Sequence, residues 1–323
     1  MPDKTQASSD EFPSMPAVDA VSYTSILQEH DVARSQRETR IKLLQEMEGA
    51  EHNNGQRKNA VVAHIAREAI TSTDVPILGS VLRSVGDVDV LNLILQSPGG
   101  EGTCVEKVVS LCRAQCKKFR VIIPNEAKSA ATMIALGADE IVMGPCSELG
   151  PIDAQIPVIS NGLFRYISAQ SFIDAKLSLL KQYEDAAQAN KDTKPILQMI
   201  ASLDVPFIEE CQRMMDFGRD VVEKLLAKHM FKRMRIKDRT EKAKAVVETL
   251  SSVKLFKVHG RLIDGNTARS QLGLNVRLLA KDDGFWVKIW EYYNRAEIAM
   301  SNIASPKMFE TRHEILAARS RQA

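Results

Sequence analysis

The spacing of apolar residues changes character along the chain. From Tyr23 to about Glu48, residues such as Ile26, Leu27, Val32, Ile41, Leu43, Leu44 and Met47 recur among many charges. That spacing predicts an amphipathic helix packed on a partner surface. The run Glu51-His52-Asn53-Asn54-Gly55 reads as a linker. Beyond it, Ala60–Ile65 suits a strand and Val75–Val85 a helix. Val88–Leu95 (VDVLNLIL) is apolar almost throughout, as in a strand buried on both faces. It stops at Ser97-Pro98-Gly99-Gly100, and helical spacing resumes through Val105, Val108, Val109, Leu111 and Cys112. Phe119–Ile123 reads as a second buried strand, Ser129–Leu136 as an apolar helix and Glu140–Met143 as a third short strand. This succession is the βαβ rhythm of an α/β protein with a parallel sheet and right-handed crossovers.

Strand signals then fade. From about Ser168 to Leu250 the chain is rich in Lys, Glu, Gln, Met and Leu, is broken by Pro195 and Pro206, and predicts three or four helices forming an insertion or lid. Lys254–Val258 returns to strand character, Asn266–Leu272 to a short helix ending at Gly273, and Gly284–Met300 to a strongly aromatic helix. The last twenty residues are polar and are expected to be loose. The division expected is a disordered lead-in plus amphipathic helix over 1–55 and a catalytic core over 56–165. A helical insertion over 166–250, a return to the core over 251–280, and a C-terminal helix and tail over 281–323 complete it.

Composition narrows the classes. With 43 basic and 41 acidic residues the formal net charge is +2, which argues against a dedicated nucleic-acid binder. No apolar stretch reaches the length of a membrane span, and the N-terminus lacks the basic and apolar regions of a secretory signal. Five scattered cysteines form no disulfide framework, so a reducing cytoplasm is the expected setting. Cys112 and Cys116 share a helix face without a second pair to complete a zinc site, and no metal is expected. The basic run Lys228–Arg239 reads as a solvated face, and Trp286, Trp290, Tyr292 and Tyr293 as a docking face.

Two turns carry candidate chemistry, because each ends a predicted parallel strand at the edge where open α/β sheets bind ligands. Ser97-Pro98-Gly99-Gly100 exposes backbone N–H groups with no Cβ in the way. In Ala127-Lys128-Ser129-Ala130-Ala131 a serine opens a helix among small residues. Either turn alone is ordinary, a plain turn or an N-cap. Their occurrence on adjacent βα connections is more specific.

The segments LILQSPGGEG and IIPNEAKSAATMIALGADEIVMGPCSELGPID, with the later HGRLIDGNTARSQLGLNV, resemble the Clp-protease/crotonase superfamily over roughly residues 56–280. Within it they resemble the serine dehydrogenase proteinase family, related to the signal peptide peptidase A type. The resemblance implies a Clp/crotonase-like fold of parallel ββα repeats with a helical insertion and extra terminal helices. It places the nucleophile at Ser129 and the oxyanion-hole donors at the Gly100 and Ala130 N–H groups. Such donors act on the charge that develops during acyl transfer, and losing one typically costs ~10²–10³ in rate. Ala131 departs from the glycine that relatives usually carry, and an added methyl there would narrow the pocket or mark lost activity.

The base is less determined. Where Clp proteases carry histidine, this chain has Asp153. The signal peptide peptidase type uses a lysine farther downstream, and Lys176 and Lys181 both fit by spacing, Lys176 in the more apolar setting. Burial would make such a lysine a competent neutral base. Asp153 and His259 stand as alternative or orienting groups, and Lys128, adjacent to Ser129, is discounted because neighbouring side chains diverge. The expected activity is an ATP-independent serine endopeptidase of Ser-Lys type, acting on polypeptide, assembled as a homo-oligomer and needing no cofactor. No G-x-x-x-x-G-K-[ST] loop and no G-x-G-x-x-G fingerprint occurs. The rivals are a catalytically impaired scaffold of the same fold and a crotonase-type acyl-CoA enzyme.

Overall fold

All eight residues of strand Asn59–Ala66 (β1) are buried, and Val88–Gln96 (β2) is buried at every position except Asp89. Strands apolar on both faces need helices on both sides, and the chain supplies them. A computed structural model describes residues 32–50, 58–160, 163–252 and 262–318. The expected N-terminal lead-in and the Lys254–Val258 strand lie outside the described residues.

Helix Val32–Gly49 (α1) precedes β1, and Asp74–Val85 (α2) leads into β2. Val105–Ala114 (α3), Cys116–Ile123 (β3), Glu126–Ala127 (β4) and Ala130–Leu136 (α4) follow, then Glu140–Met143 (β5) and Glu148–Leu149 (β6). A hairpin, Gln155–Ser160 (β7) with Leu163–Ser168 (β8), leads into helices Ala169–Gln188 (α5), Lys194–Ala201 (α6), Val205–Leu225 (α7) and Ile236–Leu250 (α8). The chain returns through Ile263–Asp264 (β9), Gly265–Ser270 (α9) and Val276–Leu278 (β10). It closes with Gly284–Asn302 (α10), Lys307–Glu310 (β11) and Ile315–Ala318 (β12).

The main sheet runs β10-β5-β3-β2-β1-β11-β12. Its first five strands are parallel, as the βαβ rhythm predicts, and β11 runs antiparallel to both of its neighbours, β1 and β12. On one face, α2, α3, α4, α8 and the end of α7 pack in the larger apolar cluster. On the other, Leu43, Leu44 and Met47 of α1 meet Phe285, Trp286, Ile289 and Tyr292 of α10. The predicted aromatic docking face is therefore a sheet-covering face. The insertion holds four helices, with Pro195 and Pro206 in the first turns of α6 and α7, where a missing N–H costs nothing.

The tail expected to be loose contains β11, inserted between β1 and β12 with all four residues buried. Its charges hid it, and each is matched inside. Lys307 Nζ meets Asp74 at 2.7 Å. Glu310, with no exposed surface, accepts from Arg40 at 2.9 Å and from the Tyr292 hydroxyl at 2.6 Å, and pairs with Arg37. A buried carboxylate is tolerable with that many donors.

His64 of β1 is wholly buried, stacked on Phe309 at 4.3 Å, and neither ring nitrogen has a hydrogen-bond partner. Burial lowers its pKa to about 4; nearby Asp74 opposes the shift and Lys307 adds to it. A depressed folded-state value means stability that is present above the ordinary histidine pKa of about 6.5 and lost as pH falls toward 4. Denaturant titrations should show His64 alone withdrawing on the order of 2 kcal/mol between pH 7 and pH 5. His64→Leu should flatten that limb, and an unchanged limb in this variant would show that His64 does not drive it.

Candidate active site

Parallel strands β2 and β3 lie side by side, so the turns at their carboxyl ends emerge together. Ser97 bridges to Ala127, with Ser97 N–H donating to Glu126 O at 3.1 Å and Lys128 N–H to Ser97 O at 3.1 Å. One turn further on, Gly100 bridges to Ile70: Ile70 N–H donates to Gly99 O at 2.7 Å, and Glu101 N–H to Ile70 O at 2.8 Å. Ser97 Oγ accepts from Gly99 N–H at 3.1 Å, which closes the turn from inside.

Both glycines have positive φ, 112° at Gly99 and 145° at Gly100. Neither has room for a side chain. A Cβ on Gly99 would lie 2.8 Å from Ser129 Cβ, and one on Gly100 2.1 Å from Ile70 O. The first figure places Gly99 directly against the predicted nucleophile. Among the described residues, neither Gly100 N–H nor Ala130 N–H donates to a backbone carbonyl.

Ser129 is half-buried and has φ 47° and ψ −116°, outside the wells open to a residue with a Cβ. Such a backbone costs on the order of 1–3 kcal/mol and persists only where its surroundings impose it. Here the helix that follows imposes it: Ala131 N–H returns to Lys128 O at 2.9 Å, and Met133 N–H bonds Ser129 O at 3.0 Å. Thr132 is wholly buried, and its hydroxyl donates to Ala127 O at 2.6 Å and also contacts Gly150 O at 3.0 Å. Ser129 is not an N-cap in the bonding sense, since its side chain makes no cap hydrogen bond. Ala131 is fully buried within the larger apolar cluster, so its methyl is absorbed by the core.

The base candidates are dispersed. Lys176 sits on α5, partly exposed, 3.3 Å from Glu209 of α7. Lys181 is exposed on the same helix. Asp153 is buried three residues beyond Gly150 and accepts from Gln155 Nε2 at 2.8 Å. His259 lies outside the described residues. No hydrogen bond or ion pair among the described residues joins Ser129 to Lys176, Lys181 or Asp153. A cleft of about 550 Å³ opens among α5, α7 and α8, lined by Asp174, Asp216, Asp220, Lys244 and Glu248 among others, and none of the predicted site residues lines it. The reading from sequence missed the contributions of Ser97 and Thr132. A serine two residues before a glycine in a turn is the signal for the first; Thr132 carried none.

Fold and turn geometry thus define an α/β protein with a parallel sheet and a strained serine at the head of a helix. The chain belongs to the family of ClpP-like SDH-type serine proteinases, which it matches over residues 33–278. It is 34% identical over 113 residues to the uncharacterized protein MJ1495 of Methanocaldococcus jannaschii, covering 31% of this chain and 39% of that one. A second protein of that organism, the uncharacterized MJ0137, is 38% identical over 66 residues, covering 20% of this chain and 23% of its own. The chain therefore spans well under half the length of these curated relatives. ClpP1 from Listeria monocytogenes superposes with a TM-score of 0.36 at 11% identity, over 70% of this chain and 94% of that one. The 1510-N membrane-bound stomatin-specific protease, in complex with a substrate peptide, gives 0.27 at 18% identity over 73% and 96%. Among the described residues no helix is long and apolar enough to cross a membrane.

Gly99→Ala should lower the rate at which a fluorophosphonate labels Ser129 by about 10²-fold or more, because the new methyl displaces Ser129 Cβ. Gel-based labelling of the folded variant measures this, and a wild-type rate would show that the close approach is dispensable.

Proposed function

We propose that the chain is a serine endopeptidase that cleaves polypeptide through an acyl-enzyme and uses no ATP of its own. The backbone of Ser129, held out of the ordinary wells against Gly99, carries the reading. Ser129 Oγ attacks the scissile carbonyl carbon as its proton passes to the base. The Gly100 and Ala130 N–H groups, free of backbone acceptors, stabilise the oxyanion. Collapse breaks the C–N bond, and the base returns the proton to the departing amine. Water then hydrolyses the ester by the same steps. Ile70 occupies one edge of Gly99–Glu101, so an extended peptide pairs along the other, where the Gly100 C=O accepts from it while the Gly100 N–H is kept for the oxyanion.

Lys176 is our choice of base. Acting on Ser129 would require it to give up Glu209, an exposed partner whose loss costs little. Lys181, Asp153 and His259 are the alternatives. We also read the chain as a homo-oligomer. In support, Ile159 and Tyr166 share one face of the hairpin and are 76 and 62% exposed, apolar surface that a second copy would cover. Light scattering of the purified chain measures the assembly.

Fluorophosphonate labelling of wild type, Ser129→Ala, Lys176→Ala, Lys181→Ala, Asp153→Asn and His259→Ala tests the chemistry. Labelling should vanish in Ser129→Ala and fall about 10²–10⁴-fold in Lys176→Ala. Retention in Lys176→Ala with loss in another variant would move the base to that residue. A folded wild type that takes no label with its site open to the probe would make the chain a scaffold.

A further inference from the structure

The mechanism leaves Lys128, the residue before the nucleophile, without a role. We propose that Lys128 is a positioning residue whose ion pair with the partly exposed Glu148 holds the backbone of Ser129 in its reactive conformation. The proposal rests on the reading of Ser129 as nucleophile.

Lys128 is 8% exposed, and its ammonium meets the Glu148 carboxylate. The side chain runs across Gly150, where a Cβ would lie 2.7 Å from Lys128 Cδ, so the missing side chain at Gly150 opens its path. Glu148 belongs to β6, which is registered with β4 through Glu126 and Ala127, and Gly150 N–H donates to Ala127 O at 3.1 Å. The ion pair therefore ties Lys128 to a strand that is itself bound to the segment leading into Ser129.

The backbone of Lys128 is held as firmly. Its N–H donates to Ser97 O at 3.1 Å, its carbonyl accepts from Ala131 N–H at 2.9 Å, and that carbonyl stands 2.9 Å from where a Gly99 Cβ would be. Ser129, at φ 47° and ψ −116°, has no well of its own to rest in and takes its geometry from the peptide planes on either side. Lys128 anchors the first of those planes. Removing the Glu148 charge leaves the buried Lys128 ammonium uncompensated, which pulls on that plane until the charge finds water, and removing Lys128 frees the plane from β6.

The test compares second-order fluorophosphonate labelling rates across pH for the full chain and for Lys128→Met, Lys128→Arg, Glu148→Gln and the double variant Lys128→Met/Glu148→Leu. Lys128→Met and Glu148→Gln should label about 10–100-fold more slowly per folded molecule, with the wild-type pH midpoint retained. Lys128→Arg should recover most of the rate, and the double variant should lose less than the product of the two single losses. Wild-type rates in both single variants would overturn the proposal. So would a pH midpoint that disappears in Lys128→Met without rescue by Lys128→Arg, since Lys128 would then be the base. Should Lys128→Met not fold, the near-isosteric Glu148→Gln carries the same comparison. Should the wild type take no label, the hydrolase reading fails and a crystal structure of Glu148→Gln decides this one. Departure of Ser129 from φ near 47° supports positioning, and an unchanged φ overturns it.

Discussion

A Cβ on Gly100 would lie 2.1 Å from the Ile70 carbonyl oxygen, and one on Gly99 would lie 2.8 Å from Ser129 Cβ; the site takes its form from this lack of room. The Gly99–Glu101 backbone can lie between Ile70 and the serine turn only because neither glycine carries a side chain. Parallel pairing of β2 with β3 puts the two turns next to each other in space although a helix and a strand separate them in sequence. With the turns in contact, Ser129 cannot relax toward an ordinary helix start without moving into Gly99. Strain at the serine and permissiveness at the glycines are two sides of one contact.

Such a contact needs a sheet that does not slide. The reverse face of the sheet supplies stiffness through Glu310, which joins β11 to α1 and α10 by accepting from Arg40 and Tyr292 and pairing with Arg37. Burial raises the Tyr292 pKa, with the nearby Glu310 carboxylate adding to the shift, so the hydroxyl remains a donor to that carboxylate. The charged lock lies on the face away from α4. Polar groups near Ser129 are instead committed in pairs, Thr132 to backbone carbonyls and Lys128 to Glu148.

The legible parts of the sequence are those where one physical requirement dominated. Val88–Gln96 is apolar because it is covered on both faces, and its run ends where the glycine turn begins. Ser129 stands out in the sequence only through its conjunction with the glycine turn on the adjacent connection, and the structure brings those two turns together. β11 was illegible because Lys307 and Glu310 look like surface residues until Asp74, Arg37 and Arg40 are placed against them, and those partners lie over two hundred positions away. The β7–β8 hairpin was legible and was passed over: Asn161-Gly162 between alternating apolar residues is a strong hairpin signal. Ala131, whose methyl was expected to narrow the pocket or mark lost activity, is wholly buried in the larger apolar cluster.

The base resists reading for a different reason, which lies in how its helix is held. α5 buries only Ala169, and α6 buries no residue at all. Leu177 and Met199 stand 57 and 55% exposed on these two helices. Phe172 meets Phe207 of α7 edge-on at 5.0 Å and packs with Ile173 on a small cluster, so α7 holds one face of α5 and the other face is left open. The contact of Lys176 with Glu209 is of the weak, solvent-screened sort. Spacing from Ser129 can identify which helix offers a lysine, but it cannot set where that helix rests. On the proposed oligomer, the apolar surface that a second copy would cover is the same surface that would anchor α5. Assembly and the placing of the base then become one physical event, with Ser129 and its glycine turn prepared in advance by the sheet.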